Sequence, residues 1–208
     1  MIPRYQKILL GLLLIASLGM GFKLWQLRDR AHKRLLAGES TAPTQAPEVA
    51  PAEQATLVAA NDLDNSLLPQ MHSLPLPADP GARARAVLGK LLDLYAAPDS
   101  THPVPGGAAS VAQVFLLPVS GAEAAQGSSD QLAVVNLTGT FAASHPSGLE
   151  TESLTVLSIC ATIRANLPSV TEVRFLIDGQ PRPSLAGHAD LTRTYLTADA
   201  TPAEGSRK

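Results

Sequence analysis

Apolar and polar residues alternate along this chain with two different periods. The clearest two-residue alternation covers 170–178, where Val173, Phe175 and Ile177 are interleaved with Glu172, Arg174 and Asp178. That pattern predicts a strand with one face buried. The stretches QATLVAA (54–60), SVAQVFLLPV (110–119) and QLAVVNLT (131–138) predict three more strands. Residues 61–66 carry turn chemistry. Residues 67–77 read as an extended return held to a sheet edge, because Pro69, Pro75 and Pro77 cannot donate to a ladder. Helical spacing appears where Ala84, Val87, Leu88, Leu91, Leu92 and Tyr95 recur on one face. Asp79 is the natural N-cap of that helix, Pro80 its first residue and Pro98 its stop. A second helix over about 149–167 places Val156, Cys160, Ile163 and Leu167 on a core face. The hydroxyl residues Thr151, Thr155, Ser158 and Thr162 fall on another face.

After the strand at 170–178, Asp178-Gly179 is a tight-turn signal, since glycine accepts the positive φ such turns need. Pro181 and Pro183 then forbid a central strand, so the chain is expected to return along an edge as a hairpin. Helices alternate with strands that come in adjacent pairs. The expected fold is therefore α+β: a small two-layer sandwich, a mixed β-sheet with two helices on one face, preceded by one transmembrane helix.

The transmembrane expectation rests on residues 8–27, ILLGLLLIASLGMGFKLWQL, which hold no charge before Lys23. Twenty such residues make roughly 30 Å of helix, enough for a bilayer core. Ile8, Leu12, Leu14, Phe22 and Trp25 are the anchoring side chains, with Trp25 at the interface. Small residues at a cleavage site are poor here, which favours an uncleaved anchor over a removed signal peptide. Residues 1–7 form a short tail. A basic stretch and an Ala/Pro linker occupy 28–53, a spacer reaching up to roughly 50 Å. The folded domain is expected over 54–196 and a disordered tail over 197–208. The basic residues Lys23, Arg28, Arg30, Lys33 and Arg34 outnumber those on the N-terminal side, so charge alone would put the C-terminal side in the cytoplasm.

Residues 54–198 carry seven basic and twelve acidic side chains. An acidic domain repels phosphate backbones, which argues against nucleic-acid binding. The one cysteine, Cys160, excludes an internal disulfide and a cysteine-based zinc cage. Its place on a core face makes it a small apolar filler rather than a nucleophile. Neither histidine spacing nor glycine-rich loops match a metalloprotease, hydrolase or nucleotide-binding motif, so no metal and no cofactor is expected. His188 and Asp190, two apart, with Asp178 upstream, are the candidate binding or acid/base residues; the plainer reading is local turn bonding. Thr155, Ser158 and Thr162 offer a small, uncharged helix face that suits a close contact with another chain or a glycan. The plainer reading is a half-buried face under a loop.

Four segments together resemble the GerMN domain family of sporulation and spore-germination proteins. They are NSLLPQMHSLPLPADPGARARAVLGKLL, VVNLTGTF, ESLTVLSICATIRANLPSVTEV and FLIDGQPRPSLAGHADL. The resemblance covers roughly 54–196. It implies a small α/β domain without established catalytic activity, exported on lipoproteins or membrane-anchored proteins and similar to ring-building assembly modules. The chain departs from the germination type in having one domain copy and no lipidated cysteine. The implied function is a membrane-anchored, non-catalytic binding or assembly module of the bacterial cell envelope, linked to sporulation, germination or cell-wall work. The implied location is the inner membrane, single-pass, with the C-terminal domain extracytoplasmic, opposite to the charge reading. Expected partners are the membrane, envelope proteins or peptidoglycan, and a second copy of the chain. The alternatives are a peptidoglycan-related hydrolase using Asp178, His188 and Asp190, or a cytoplasmic, membrane-tethered regulator.

Overall fold

The computed structural model describes residues 51–119 and 130–200, together with Ser17, Met20 and Lys23, which are helical. The chain divides into two compact units, Met1–Glu48 and Val49–Lys208. Ile8, Leu12, Leu14, Phe22 and Trp25 lie outside the described residues, as do 201–208 of the expected tail. Among the described residues no helix is long and apolar enough to cross a membrane.

In the second unit, β1 (Ala52–Asn61) and β2 (Ser66–Pro75) pair antiparallel across a four-residue turn. Helix α1 (Pro80–Tyr95) follows, and Asp79 Oδ2 accepts a hydrogen bond from the Ala82 N–H at 2.7 Å. This satisfies one donor that the first turn leaves free. Asp79→Ala is expected to cost about 1 kcal/mol, read as a lower urea midpoint at unchanged slope. The periodic face named above is buried throughout: Ala84, Val87, Leu88, Leu91, Leu92 and Tyr95. A 3₁₀ turn (Gly107–Ser110) leads into β3 (Val111–Pro118), and β4 (Gln131–Leu137) pairs with it antiparallel. A short helix α2 (Gly139–Ser144), absent from the sequence reading, is capped by Thr138. Helix α3 (Leu149–Asn166), β5 (Val170–Ile177) and β6 (Tyr195–Leu196) complete the domain.

The mixed sheet has the order β3-β4-β5-β6, with β4 and β5 parallel. Parallel neighbours need a crossover, here α2 and α3. Ala133, Val135 and Leu137 of β4 and Val173, Phe175 and Ile177 of β5 form its buried face.

Two expectations need correction. There are two sheets, not one, because β1 does not join β3 to β6. Its second edge is taken by side chains instead: the N–H groups of Thr56, Val58 and Ala60 donate to Asn166 Oδ1, Thr162 Oγ1 and the Tyr95 hydroxyl at 3.1, 2.9 and 2.9 Å. Two helices thus do the work of a neighbouring strand, and α1 and α3 each contact both sheets. The expected return hairpin after β5 is also cut short. Asp178 (φ 50) and Gly179 (φ 75) make the tight turn, and Ile177 and Gln180 exchange bonds of 2.9 and 3.0 Å. Pairing then stops, and β6 occupies the edge at Val173 and Glu172. Pro181 and Pro183 send the intervening chain away from the sheet.

Candidate functional site

Helix α3 organises the polar interior. The hydroxyl row expected to face a partner or a loop is inside the molecule: Thr155, Ser158 and Thr162 are fully buried. They present no surface to a partner chain, which corrects their assignment as binding residues. Thr162 holds β1, and Ser158 Oγ donates to the Thr155 carbonyl at 2.8 Å. Thr155 Oγ1 lies 2.7 Å from His102 Nε2 and 2.8 Å from His145 Nε2. His102 Nδ1 in turn sits 2.5 Å from Asp62 Oδ1 in the β1–β2 turn. The chain Asp62–His102–Thr155 has the order of an acid–base–hydroxyl triad. With His102 and Thr155 fully buried, no substrate reaches the hydroxyl. Burial chiefly depresses the His145 pKa; it also pushes the neighbouring Tyr95 phenol up to about 12.

The second cluster surrounds Glu152, whose carboxylate is fully buried in the first turn of α3. Its Oε2 accepts from the N–H groups of Ala186, His188 and Ala189 at 3.0, 2.9 and 2.8 Å. Its Oε1 accepts from His188 Nδ1 at 2.9 Å and Gly148 N–H at 3.2 Å. Burial raises the Glu152 pKa, but the Ala189 N–H, the His188 ring and the remaining N–H donors outweigh it and bring the group down to about 2. The loop after β5 therefore closes on a charged carboxylate, and His188 is its clasp.

The three candidates from the sequence separate. Asp178 accepts from Gly139 N–H at 2.8 Å, beside the start of α2. Asp190 binds the N–H and hydroxyl of Thr192 at 2.8 and 2.6 Å, which lowers its pKa. His188 pairs with Glu152 rather than with either aspartate. His188 and Asp190 do line one cavity of about 280 Å3, with Leu149, Val156, Arg193 and Tyr195, and Asp178 is not in its wall. Cys160 is fully buried, its thiol pushed up to about 12 by burial, and so packs as an apolar residue. Among the described residues, no three His, Cys, Asp or Glu side chains are grouped to hold a metal.

Sequence reasoning missed Asp62, His102, His145 and Glu152. Glu152 did carry a signal, since it stands in the same stripe as Val156, Cys160 and Ile163. A carboxylate there needs buried partners. The two histidines carried none, being brought to Thr155 from distant loops.

The side of the mixed sheet away from the buried face is open. In register across it lie Leu117, Leu132, Glu172 and Leu196, and next to them Phe115, Val134 and Arg174. Phe115 is 43%, Leu117 47% and Leu196 52% exposed, three apolar side chains on one sheet face, while the exposed Leu63, Leu68, Met71 and Leu149 lie elsewhere on the domain.

Comparison with known families gives a match to the family described as "Germane: Sporulation and spore germination" over residues 64–183. The chain belongs to the Germane family. The matched part of this Germane domain runs from the β1–β2 turn to just past β5. It leaves β1, the Glu152-bound loop and β6 outside the match. A solved structure from Clostridium perfringens, described as a candidate lipoprotein, aligns with 75% of this chain and 95% of that chain at 19% identity, with a TM-score of 0.36. Comparison with curated proteins gives no match.

Proposed function

We propose that this Germane domain is a non-catalytic binding and assembly module of the bacterial cell envelope, anchored through residues 8–27 and serving sporulation, germination or cell-wall work. The observation that carries this reading is the open sheet face. Phe115, Leu117 and Leu196, backed by Leu132 and Val134 and marked by Glu172 and Arg174, form an apolar centre with charges beside it. That composition suits a protein surface, either another envelope protein or a second copy of this chain. The polar clusters support the same reading, because each acid or base in them is already bonded within the fold.

The test is a pull-down of the full-length chain from native membranes, comparing wild type with Phe115→Glu/Leu117→Lys. Both substitutions sit on exposed positions, so the melting temperature should change by no more than a few degrees. The expected result is loss of the captured envelope protein or of self-association. Undiminished capture by the double variant would reject the sheet face as the contact. A C-terminal alkaline phosphatase fusion reads the side of the membrane, and the proposal expects it to be active.

A further inference from the structure

We propose that this domain pairs with a second copy of itself through the open sheet face, the two sheets stacked about a two-fold axis that crosses the strands between Glu172 and Arg174. This dimer rests on the reading above that the sheet face is the contact surface, and it names the partner. The register of the sheet carries it. One row across the face is Leu117, Leu132 and Glu172, on β3, β4 and β5. The next row is Phe115, Val134 and Arg174, on the same strands. Each row thus has two apolar side chains followed by one charge, and the two charges are opposite. Leu196 extends the first row onto β6.

Two identical sheets stacked face to face are related by an axis lying between them and parallel to both. An axis running along the strands keeps each row over its own copy. Placed over β5, it sets Glu172 against the partner's Glu172, a like-charge contact. Placed over β4, it presses both charges onto the partner's Leu117 and Phe115, which buries them unpaired. An axis across the strands, midway between the rows, lays each row on the other instead. Glu172 then meets the partner's Arg174, Leu132 the partner's Val134, and Leu117 the partner's Phe115. Symmetry repeats each contact, so every member of both rows is matched. Twisted sheets stack with their strands about 30° apart, and contacts close to the axis shift least.

Both charges are free to make these pairs. Among the described residues neither Glu172 nor Arg174 has an ion-pair partner. Arg174 is exposed, and Glu172 is half-buried between Leu132 and Leu196. Across an interface such pairs fix orientation more than they add affinity. Gln113 and Asn136 follow in the third row, so polar groups border the apolar centre on that side. With strands about 4.8 Å apart and rows about 6.8 Å apart, two rows across the sheet cover roughly 300 Å2 in projection. A standard interface buries roughly 800 Å2 per partner, so this pairing is weak and concentration-dependent.

The experiment is sedimentation equilibrium of the full-length chain in detergent micelles up to about 200 µM, a range suited to a weak pair. It compares wild type with Glu172→Arg, Arg174→Glu and the double variant. Expected is a dimer that each single variant weakens at least about tenfold, because each sets two like-charge pairs in contact. The double variant exchanges the charges within every pair and should return to within about threefold of wild type. Isotope-filtered nuclear Overhauser spectroscopy on a mixture of labelled and unlabelled wild type needs no variant. It should show the Leu117 methyls against the partner's Phe115 ring. A chain still monomeric at about 200 µM, a dimer indifferent to charge reversal, single variants not rescued by the double, or a dimer without the Leu117 to Phe115 contact would each overturn the proposal. If the chain is monomeric while Phe115→Glu/Leu117→Lys still loses a captured envelope protein, the sheet face remains the contact surface and a second copy is not its occupant.

Discussion

Glu152→Ala is expected to destabilise the domain by about 3–5 kcal/mol, the cost of breaking a buried, fully bonded charge cluster. The variant leaves the N–H groups of Gly148, Ala186, His188 and Ala189 without their acceptor and His188 Nδ1 without its partner. Glu152→Gln keeps the shape and one acceptor oxygen, so its loss should be smaller, about 1–2 kcal/mol. Urea unfolding measures both, and amide hydrogen exchange should show opening at Ala186, His188 and Ala189 ahead of the sheet. Acid provides an independent check. The Glu152 pKa falls from 4.5 to about 2 on folding, so its linked stabilisation, on the order of 3 kcal/mol, is complete above pH 4.5. It is lost as the pH drops through about 2, and Glu152→Gln should lack that acid limb. A Glu152→Ala protein as stable as wild type would mean that the loop closes without the carboxylate.

Asn166→Ala should cost about 2–3 kcal/mol, because it strips both polar groups of Thr56 at once. Asn166 Oδ1 accepts from Thr56 N–H at 3.1 Å, and its Nδ2 donates to the Thr56 carbonyl at 2.7 Å. Among the described residues no strand lies along this second edge of β1 to replace these bonds. Thr162→Val, nearly equal in shape, removes only the partner of Val58 N–H and should cost about 1–2 kcal/mol. The two changes touch neighbouring sites one helical turn apart and share the Thr162 carbonyl, so their costs should not add. Hydrogen exchange at Thr56, Val58 and Ala60 reads the effect directly. If those amides stay protected in Asn166→Ala, the helix is not what closes the β1 edge.

Both predictions concern contacts that the sequence marks only in part. The hydroxyls of Thr155, Ser158 and Thr162 were visible as a row, and the row does share one helix face. Whether that face met water, a loop or another element depended on where β1 came to lie, more than 100 residues away along the chain. His188 and Asp190 stood out because of their spacing, yet spacing said nothing of Glu152, which captures His188 from α3 across 36 residues. Local signals fared better where the cause was itself local. Asp79 caps α1, Asp178 and Gly179 turn the chain after β5, and the alternation of Val173, Phe175 and Ile177 buries one face of that strand.

The sequence by itself determined the main helices and strands, the turn after β5, the apolar role of Cys160 and the membership of the sporulation and germination family. Each follows from residues within a few positions of one another, or from their fixed order, so a linear reading reaches them. The tertiary structure alone decided that the second edge of β1 bonds to side chains of α1 and α3 instead of to a further strand. It also brought His102 and His145 to the Thr155 hydroxyl and Asp62 to His102, made Glu152 the closure of the last loop, and left one face of the mixed sheet open. Those outcomes depend on satisfying buried polar groups over long separations. A hydrogen bond needs a partner in space, and nothing in the sequence states which partner will arrive.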